Sequence, residues 1–281
     1  MAGENSELFF NSPIIGHDVL NGQGNDTDYD GESGDDIMFQ GPGVQRSNGM
    51  AGFDWAIHKG DPVAAFSDMG IPIFVNQEQF ILRDRFDLVE GLSGWVHDDI
   101  LIGRQVVAGA NAPNGAAALF DENDLLQSFS SALLQQGVDR IENFDQLVAH
   151  LNRVDWTWRG ETHTVVVLDE AAVQRDGAGN VTFVQDTPAD IIIGGEGNDR
   201  IIGKGGNDII DGDAWLNVKI RVTHPDGLFA PFEIDSLAEI QSRMLTGEIN
   251  PGWLEVVRRI EWASPATSNL DTAVYRDVRG N

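Results

Sequence analysis

Between residues 190 and 211 the sequence keeps a nine-residue beat. Asp190, Asp199 and Asp208 recur nine apart, and so do Ile192, Ile201 and Ile210. Most of what lies between is glycine and small polar residues, as in "GGEGNDRII" followed by "GKGGNDIID". Nine residues hold one short strand and one tight turn. Glycines permit the positive φ values that such turns require, and they leave backbone carbonyls uncovered. The aspartate closes the turn, and the aliphatic residue two positions later points inward to build a thin core. Consecutive units then run on opposite faces of a flattened coil, so turns on one side recur every eighteen residues. Asp190 and Asp208 are expected on one edge, with Asp199 on the other.

The beat returns twice. "GHDVLNGQGNDTDYDGESGDDIMFQGPG", residues 16 to 43, places Asp18 and Asp36 eighteen apart, on a shared edge. Between them the strict register falls on Thr27 while Asp26 sits one step early, so this unit is irregular. "GWVHDDILIG", residues 94 to 103, supplies Asp99 and Leu101 and then fades. Non-repetitive sequence separates the three segments, which predicts short coil turns inserted among other elements.

Carboxylates and carbonyls from two stacked turns can enclose an ion with six or more oxygens, a shell that suits calcium and not magnesium. Without the ion, stacked carboxylates repel across roughly 5 Å, the strand spacing. Folding and metal binding are therefore expected to form one equilibrium.

These stretches resemble the RTX, or haemolysin-type, calcium-binding repeat, G-G-x-G-x-D-x-U-x with U aliphatic. "GGEGNDRII" matches in full; "GKGGNDIID" departs at Lys204 and "GESGDDIMF" at Glu32. The resemblance implies a parallel β-roll with Ca2+ held by aspartate carboxylates and by carbonyls of the glycine-rich turn. Those roles carry to Asp18, Asp36, Asp190, Asp199 and Asp208, to Asp26 and Asp99, and to Gly194, Gly195, Gly197, Gly203, Gly205 and Gly206. Asp211 and Asp213 stand where a further turn would begin, and are expected to close the last site.

The wider stretches "FNSPIIGHDVLNGQGNDTDYDGESGDDIM", "GFDWAIHKGDP" and "DRFDLVEGLSGWVHDDIL" resemble the RTX-bearing region of giant secreted bacterial proteins that carry animal-type haem-peroxidase-like domains elsewhere. That implies an exported, multidomain surface or extracellular protein, released through a type I channel, with neighbouring domains as partners. Both ends of the chain read as cuts from something longer. It does not make this chain a peroxidase.

Composition agrees with a calcium protein. Against 18 Lys plus Arg stand 45 Asp plus Glu, a net charge of −27. Such a surface repels phosphate backbones and anionic lipids, which argues against nucleic-acid and membrane-surface binding, and it repels itself unless cations sit among the carboxylates. With 41% hydrophobic residues the 281-residue chain can bury a core. There is no cysteine, so disulfides and thiolate metal sites are absent. The start shows no basic segment followed by an apolar run, and no apolar stretch approaches the roughly 18 residues needed to cross a bilayer.

Outside the repeats, "DENDLLQSFSSALLQQG" reads as a helix from a cap at Asp121 to Gly137, and "NFDQLVAHLNRV" as a shorter one capped by Asn143. "DSLAEIQSRMLTG" reads as a third, from Asp235 to Gly247. "HTVVVLDEAAVQ" and "NVTFVQ" flank the turn "RDGAG" as a hairpin, while "WLNVKIRV" and "WLEVVRRIEW" read as strands. The expected fold is α+β and mostly β, with parallel β-roll turns packed against antiparallel strands and about three helices. Its segments are 1–50, 51–105, 106–160, 161–222 and 223–281, packed as one or two domains.

Other chemistries find little footing. The six histidines show no ligand spacing, and His150 is one polar edge of a helix rather than a haem ligand. No G-x-S-x-G occurs. Asp61-Pro62 reads as a turn dipeptide. Trp156 and Trp158 share one face of a strand, as core or, if exposed, as a platform for a glycan or peptide ligand. The function expected is calcium-dependent folding and stiffening of an extracellular module, structural or adhesive. The rivals are an accessory or catalytic part of a peroxidase-like enzyme and a ligand-binding adhesin domain.

Overall fold

The computed structural model describes residues 16–24, 26–74, 80–104, 131–158, 160–184, 189–264 and 270–275. Six short parallel strands form a front sheet, in the spatial order Val19–Asn21, Ile37–Phe39, Trp55–Ile57, Gly91–Ser93, Ile191–Ile193 and Ile209–Asp211. Two parallel rear sheets face it. One holds Thr27–Asp30, Gln45–Asn48 and Arg85–Asp87; the other holds Phe66–Asp68, Ile100–Ile102, Arg200–Lys204 and Thr272–Tyr275.

The eighteen-residue rule holds where the repeat is regular. Val19 pairs with Ile37, Ile37 with Trp55, and Ile191 with Ile209. The coil does not stop where the regularity does. Gly91 pairs with Ile191, Ile100 with Arg200, and Arg200 with Thr272. The three repeat segments are therefore one continuous roll, not scattered insertions as the sequence suggests. Parallel pairing needs matching register in space, and the entropy of closing the intervening loop grows only slowly with its length.

Alternation along the front strands builds two cores. Met38, Ala56, Leu92 and Ile192 point into the roll, where they meet Tyr29, Phe86, Leu101 and Ile201 from the rear sheets. The inward placement of Ile192, Ile201 and Ile210 follows the sequence expectation. Ile37, Trp55, Ile191, Ile193 and Ile209 face the other way, against Leu134, Phe144, Val166, Leu216 and Ile260. A sheet covered on both faces carries unbroken aliphatic runs, which is why Ile191, Ile192 and Ile193 are all buried. Phe53, Trp55 and Phe144 meet edge to face, with ring centroids 5.7 to 6.3 Å apart.

The covering layer differs in detail from the sequence reading. Asp121, Leu125 and Phe129 lie outside the described residues. From Ser131 a helix runs through Gly137 to Arg140, so Gly137 does not end it. A Cβ there would lie 2.6 Å from Phe53 Cε1, so glycine lets the helix press onto the front-sheet aromatics. The second helix is a single turn, Phe144–Leu147, and Asn143 makes no side-chain cap but turns the chain at φ 67°. The third begins at Ser236, not Asp235. Ser236 and Glu239 form a reciprocal capping box over the 3-10 turn Leu237–Ile240, which continues as Gln241–Leu245.

"HTVVV" lies in the strand Glu161–Val167, which pairs along its length with Asn152–Trp158. The expected hairpin is formed instead by Val173–Arg175 and Val181–Val184. Trp156 packs half-buried on Val154, Val165, Val167, Val181 and Val184, and the side chain of Trp158 lies outside the described residues. Ala214–Val222 and Leu254–Trp262 pair antiparallel over nine residues, with Phe232–Ile234 alongside. Among the described residues, no helix is long and apolar enough to cross a membrane.

Candidate metal centre

Each front-sheet rung is preceded by an acidic residue, and so are the rear rungs except Gln45–Asn48 and Phe66–Asp68, which follow Val44 and Ala65; these acids stack. On the front edge, Asp18 N donates to Asp36 Oδ1 at 2.6 Å, Asp36 N to Asp54 Oδ1 at 2.8 Å, and Asp54 N to Glu90 Oε2 at 2.7 Å. Lower on this edge Asp190 N donates to Asp208 Oδ1 at 3.0 Å. On the rear edge Ala65 N donates to Asp99 Oδ1, Asp99 N to Asp199 Oδ1 and Asp199 N to Asp271 Oδ1, at 2.7 to 2.9 Å. One carboxylate oxygen per rung thus carries the backbone of its neighbour.

The second oxygen has another fate. The Oδ2 atoms of Asp36, Asp54 and Asp199 are buried without a hydrogen-bond donor. Each faces the glycine five residues earlier in its own turn. A Cβ built on Gly31 would lie 2.6 Å from Asp36 Oδ2 and 2.9 Å from the carbonyl oxygen of Gly49. On Gly49 it would meet Asp54 Oδ2 at 2.5 Å and Leu88 O at 2.2 Å; on Gly194, Asp199 Oδ2 and Gly212 O, both at 2.4 Å. Glycine therefore keeps clear a cradle in which a carboxylate oxygen and a carbonyl oxygen from the next rung converge. Among the described residues no three acidic or imidazole side chains gather at one point. The donor set is instead one carboxylate with backbone carbonyls, all hard oxygen, which fits calcium.

Electrostatics say the same. Burial pushes the carboxyls of Asp36, Asp199 and Asp208 up to about 7, with Asp190 adding to the rise at Asp208. Burial and the facing Glu90 drive Asp54 well above the usual range, and burial drives Glu90 up to about 8 while Arg104 pulls it back. Nearby arginines do not offset the burial of these acids, and a bound cation would supply the missing positive charge.

The sequence-derived residues divide between the two edges as expected, Asp190 and Asp208 in front and Asp199 behind. Asp18 is a half-buried end of the front ladder, and Asp26 is an exposed acceptor for Val44 N. Asp99 accepts from both Ala65 N and Trp95 N. Asp190 departs from the pattern: its carboxylate takes the guanidinium and backbone N–H of Arg104. Asp211 Oδ1 accepts from Asp213 N and Ala214 N, and its Oδ2 accepts from Trp262 Nε1, so it turns the chain out of the roll. Asp213 is exposed.

The turn itself is written in dihedrals. Gly195 (φ 106°) and Lys204 (φ 63°) stand nine residues apart in left-handed backbone, as do Gln23 (59°) and Glu32 (68°). Both departures from the glycine pattern therefore adopt the glycine conformation. Lys204 anchors its Nζ on Asp68 at 2.9 Å. Gly197 and Gly206, at φ 135° and 133°, complete successive turns. Gly205 N reaches Arg104 O at 3.4 Å, and a Cβ on Gly203 would lie 2.5 Å from Asp208 Oδ2, the carboxylate half of the cradle.

Residues 189–214 match the family described as the RTX calcium-binding nonapeptide repeat (4 copies). The segment is an RTX repeat. Ca2+ is the ion that RTX repeats bind. No curated protein and no solved structure matches the chain. The ladder from Asp18 to Glu90 lies outside the RTX match yet repeats its geometry. Asp54, Glu90, Asp84 and Asp271 were missed by sequence reasoning. Asp54 was within reach, eighteen residues beyond Asp36; Asp84, whose Oδ1 accepts from Gln45 N, and Asp271 sit in rungs with no glycine phrase before them.

Proposed function

We propose that this chain is a calcium-folded structural module of an exported, multidomain protein, with the whole roll as its metal-dependent core. The observation that carries the reading is the row of buried Oδ2 atoms on Asp36, Asp54 and Asp199, each facing a carbonyl of the next rung. Asp36, Asp54 and Asp208 would hold ions on the front edge, and Asp199 and Asp271 on the rear; Asp99 is left out because each of its oxygens already accepts a backbone N–H. Carbonyls of Gly49, Leu88, Gly194 and Gly212 would complete the shells. The ion supplies positive charge between stacked carboxylates. In a chain of net charge −27, that turns a self-repelling column into a rigid one. Asp211 is left out because its carboxylate is already saturated with N–H donors. A module of this kind stays incompletely folded in low-calcium cytosol and sets into a stiff spacer or adhesive stalk once calcium binds outside.

The test is a thermal melt in excess chelator and in millimolar calcium, with magnesium as control. Several ions bound well above their dissociation constants raise the midpoint by roughly 10 °C or more. Magnesium leaves it near the chelated value, because its rigid octahedral shell fits these turns poorly. Equal midpoints with and without calcium refute the reading.

A further inference from the structure

The front ladder has a break, and an arginine fills it. From Asp18 to Glu90 each N–H reaches the next carboxylate, but Glu90 N turns back to Asp54 O, and the next rung begins at Asp190. Into that gap comes Arg104, from the end of the rear strand Ile100–Ile102. Its backbone N donates to Asp190 Oδ2 at 2.5 Å, its Nε to Asp190 Oδ1 at 2.7 Å, and its NH2 to Ala189 O at 3.3 Å. Arg104 is 5% exposed, Glu90 4% and Asp190 0%. The Glu90 and Asp208 carboxyls, on the neighbouring front rungs, lie within electrostatic reach of Arg104.

The cradle at this rung is the familiar one. A Cβ on Gly103 would lie 2.7 Å from both Asp190 Oδ2 and Gly203 O. At Gly194 the corresponding carboxylate oxygen has no donor; here the backbone N–H of Arg104 provides one, as Trp95 N does for Asp99 Oδ2, and the guanidinium brings its positive charge to the second oxygen, Asp190 Oδ1. The place is also special in the chain. Arg104 and Asp190 are separated by 86 residues, the excursion that leaves the roll and returns.

We propose that Arg104 is a resident cation, occupying at the Asp190 rung the role that calcium has at the others, and that it joins the two halves of the roll without metal. The proposal rests on the calcium reading of the remaining rungs. Asp190 then contributes no calcium ligand, contrary to its place in the repeat. The seam between Gly91–Ser93 and Ile191–Ile193 is the part of the roll that survives chelation. Calcium completes the flanks around an already assembled centre.

Two measurements test this. Calorimetric calcium stoichiometry is compared for the parent, for Asp199→Asn, and for the double variant Arg104→Gln/Asp190→Asn, which removes both buried charges together. The double variant is expected to bind as many ions as the parent, and Asp199→Asn one fewer. Loss of an ion in the double variant overturns the proposal while leaving the calcium reading intact; no uptake by the parent overturns both. The second measurement is hydrogen exchange on the parent in excess chelator. The amides of Ile191 and Ile209, which donate to Glu90 O and Asp190 O, are expected to stay at least roughly tenfold better protected than that of Asp36. Equal protection overturns the resident-cation role even if the double variant fails to fold.

Discussion

The backbone N–H of Asp99 donates to Asp199 Oδ1 at 2.7 Å, across one hundred residues of chain. Asp199 N in turn donates to Asp271 Oδ1 at 2.9 Å. Asp199 does two jobs. One oxygen fixes the register of the neighbouring rung, and the other is left without a donor in the glycine cradle. Fold and proposed site therefore share the same atoms, so calcium binding and folding are expected to be coupled.

Asp199→Asn separates the two jobs. The amide oxygen still accepts from Asp99 N, but the buried charge is gone. In chelator the variant is expected to melt above the parent, since the uncompensated carboxylate is removed. In millimolar calcium it melts below the parent, since one ion is lost. Melts that shift in the same direction in both buffers contradict the assignment.

Acidity acts in opposite directions on the two forms. Asp36, Asp199 and Asp208 are pushed up to about 7 by burial. An acid whose pKa is higher folded than unfolded binds its proton more tightly when folded. Its contribution to stability is full below the unfolded value near 4 and is lost as pH rises through the folded value near 7. The metal-free protein is therefore expected to melt higher at about pH 5 than at about pH 8. With calcium the order reverses, because protons compete for the carboxylates. Scanning calorimetry at the two pH values, with and without calcium, checks both signs.

Two residues nine apart answer a substitution differently. Gly195 at φ 106° would place a Cβ 2.1 Å from Trp95 O, so Gly195→Ala is expected to cost more than about 2 kcal/mol. Lys204 already holds φ 63°, and Lys204→Gly relieves left-handed strain of about 1 kcal/mol while losing a partly buried pair to Asp68 worth about as much. Urea unfolding in calcium should show a large loss for the first and a change within about 1 kcal/mol for the second.

Phe144 tests the covering layer alone. It is fully buried between Phe53 and Trp55, so Phe144→Ala is expected to cost about 3–5 kcal/mol. It touches no rung acid, so calcium stoichiometry by calorimetry stays at the parent value. A lost ion would mean that the helical layer shapes the metal sites.

The sequence made local periodicity legible and non-local stacking opaque. Asp18, Asp36, Asp190, Asp199 and Asp208 stand out because glycine, acid and aliphatic residue recur within one window. The opposite edges of Asp199 and Asp208 follow from the nine-residue length. Nothing periodic marks Gly91 as the partner of Ile191, or Thr272 as the partner of Arg200, because the excursions between them have no fixed length. Glu90 was hidden by its extra methylene, and Arg104 by its sign: a base in an acidic repeat reads as solvent-facing. The helix boundary at Gly137 was misjudged because close packing on Phe53 and helix termination both select glycine.

The most direct test of a calcium-closed ladder is the hydrogen exchange of its own amides. Asp36 N and Asp199 N donate to Asp54 and Asp271 on opposite edges. As free calcium rises from chelated to millimolar, both amides are expected to pass together from rapid exchange to strong protection, following the same binding curve. Protection at both that is already complete in chelator, and unchanged by calcium, would contradict the account.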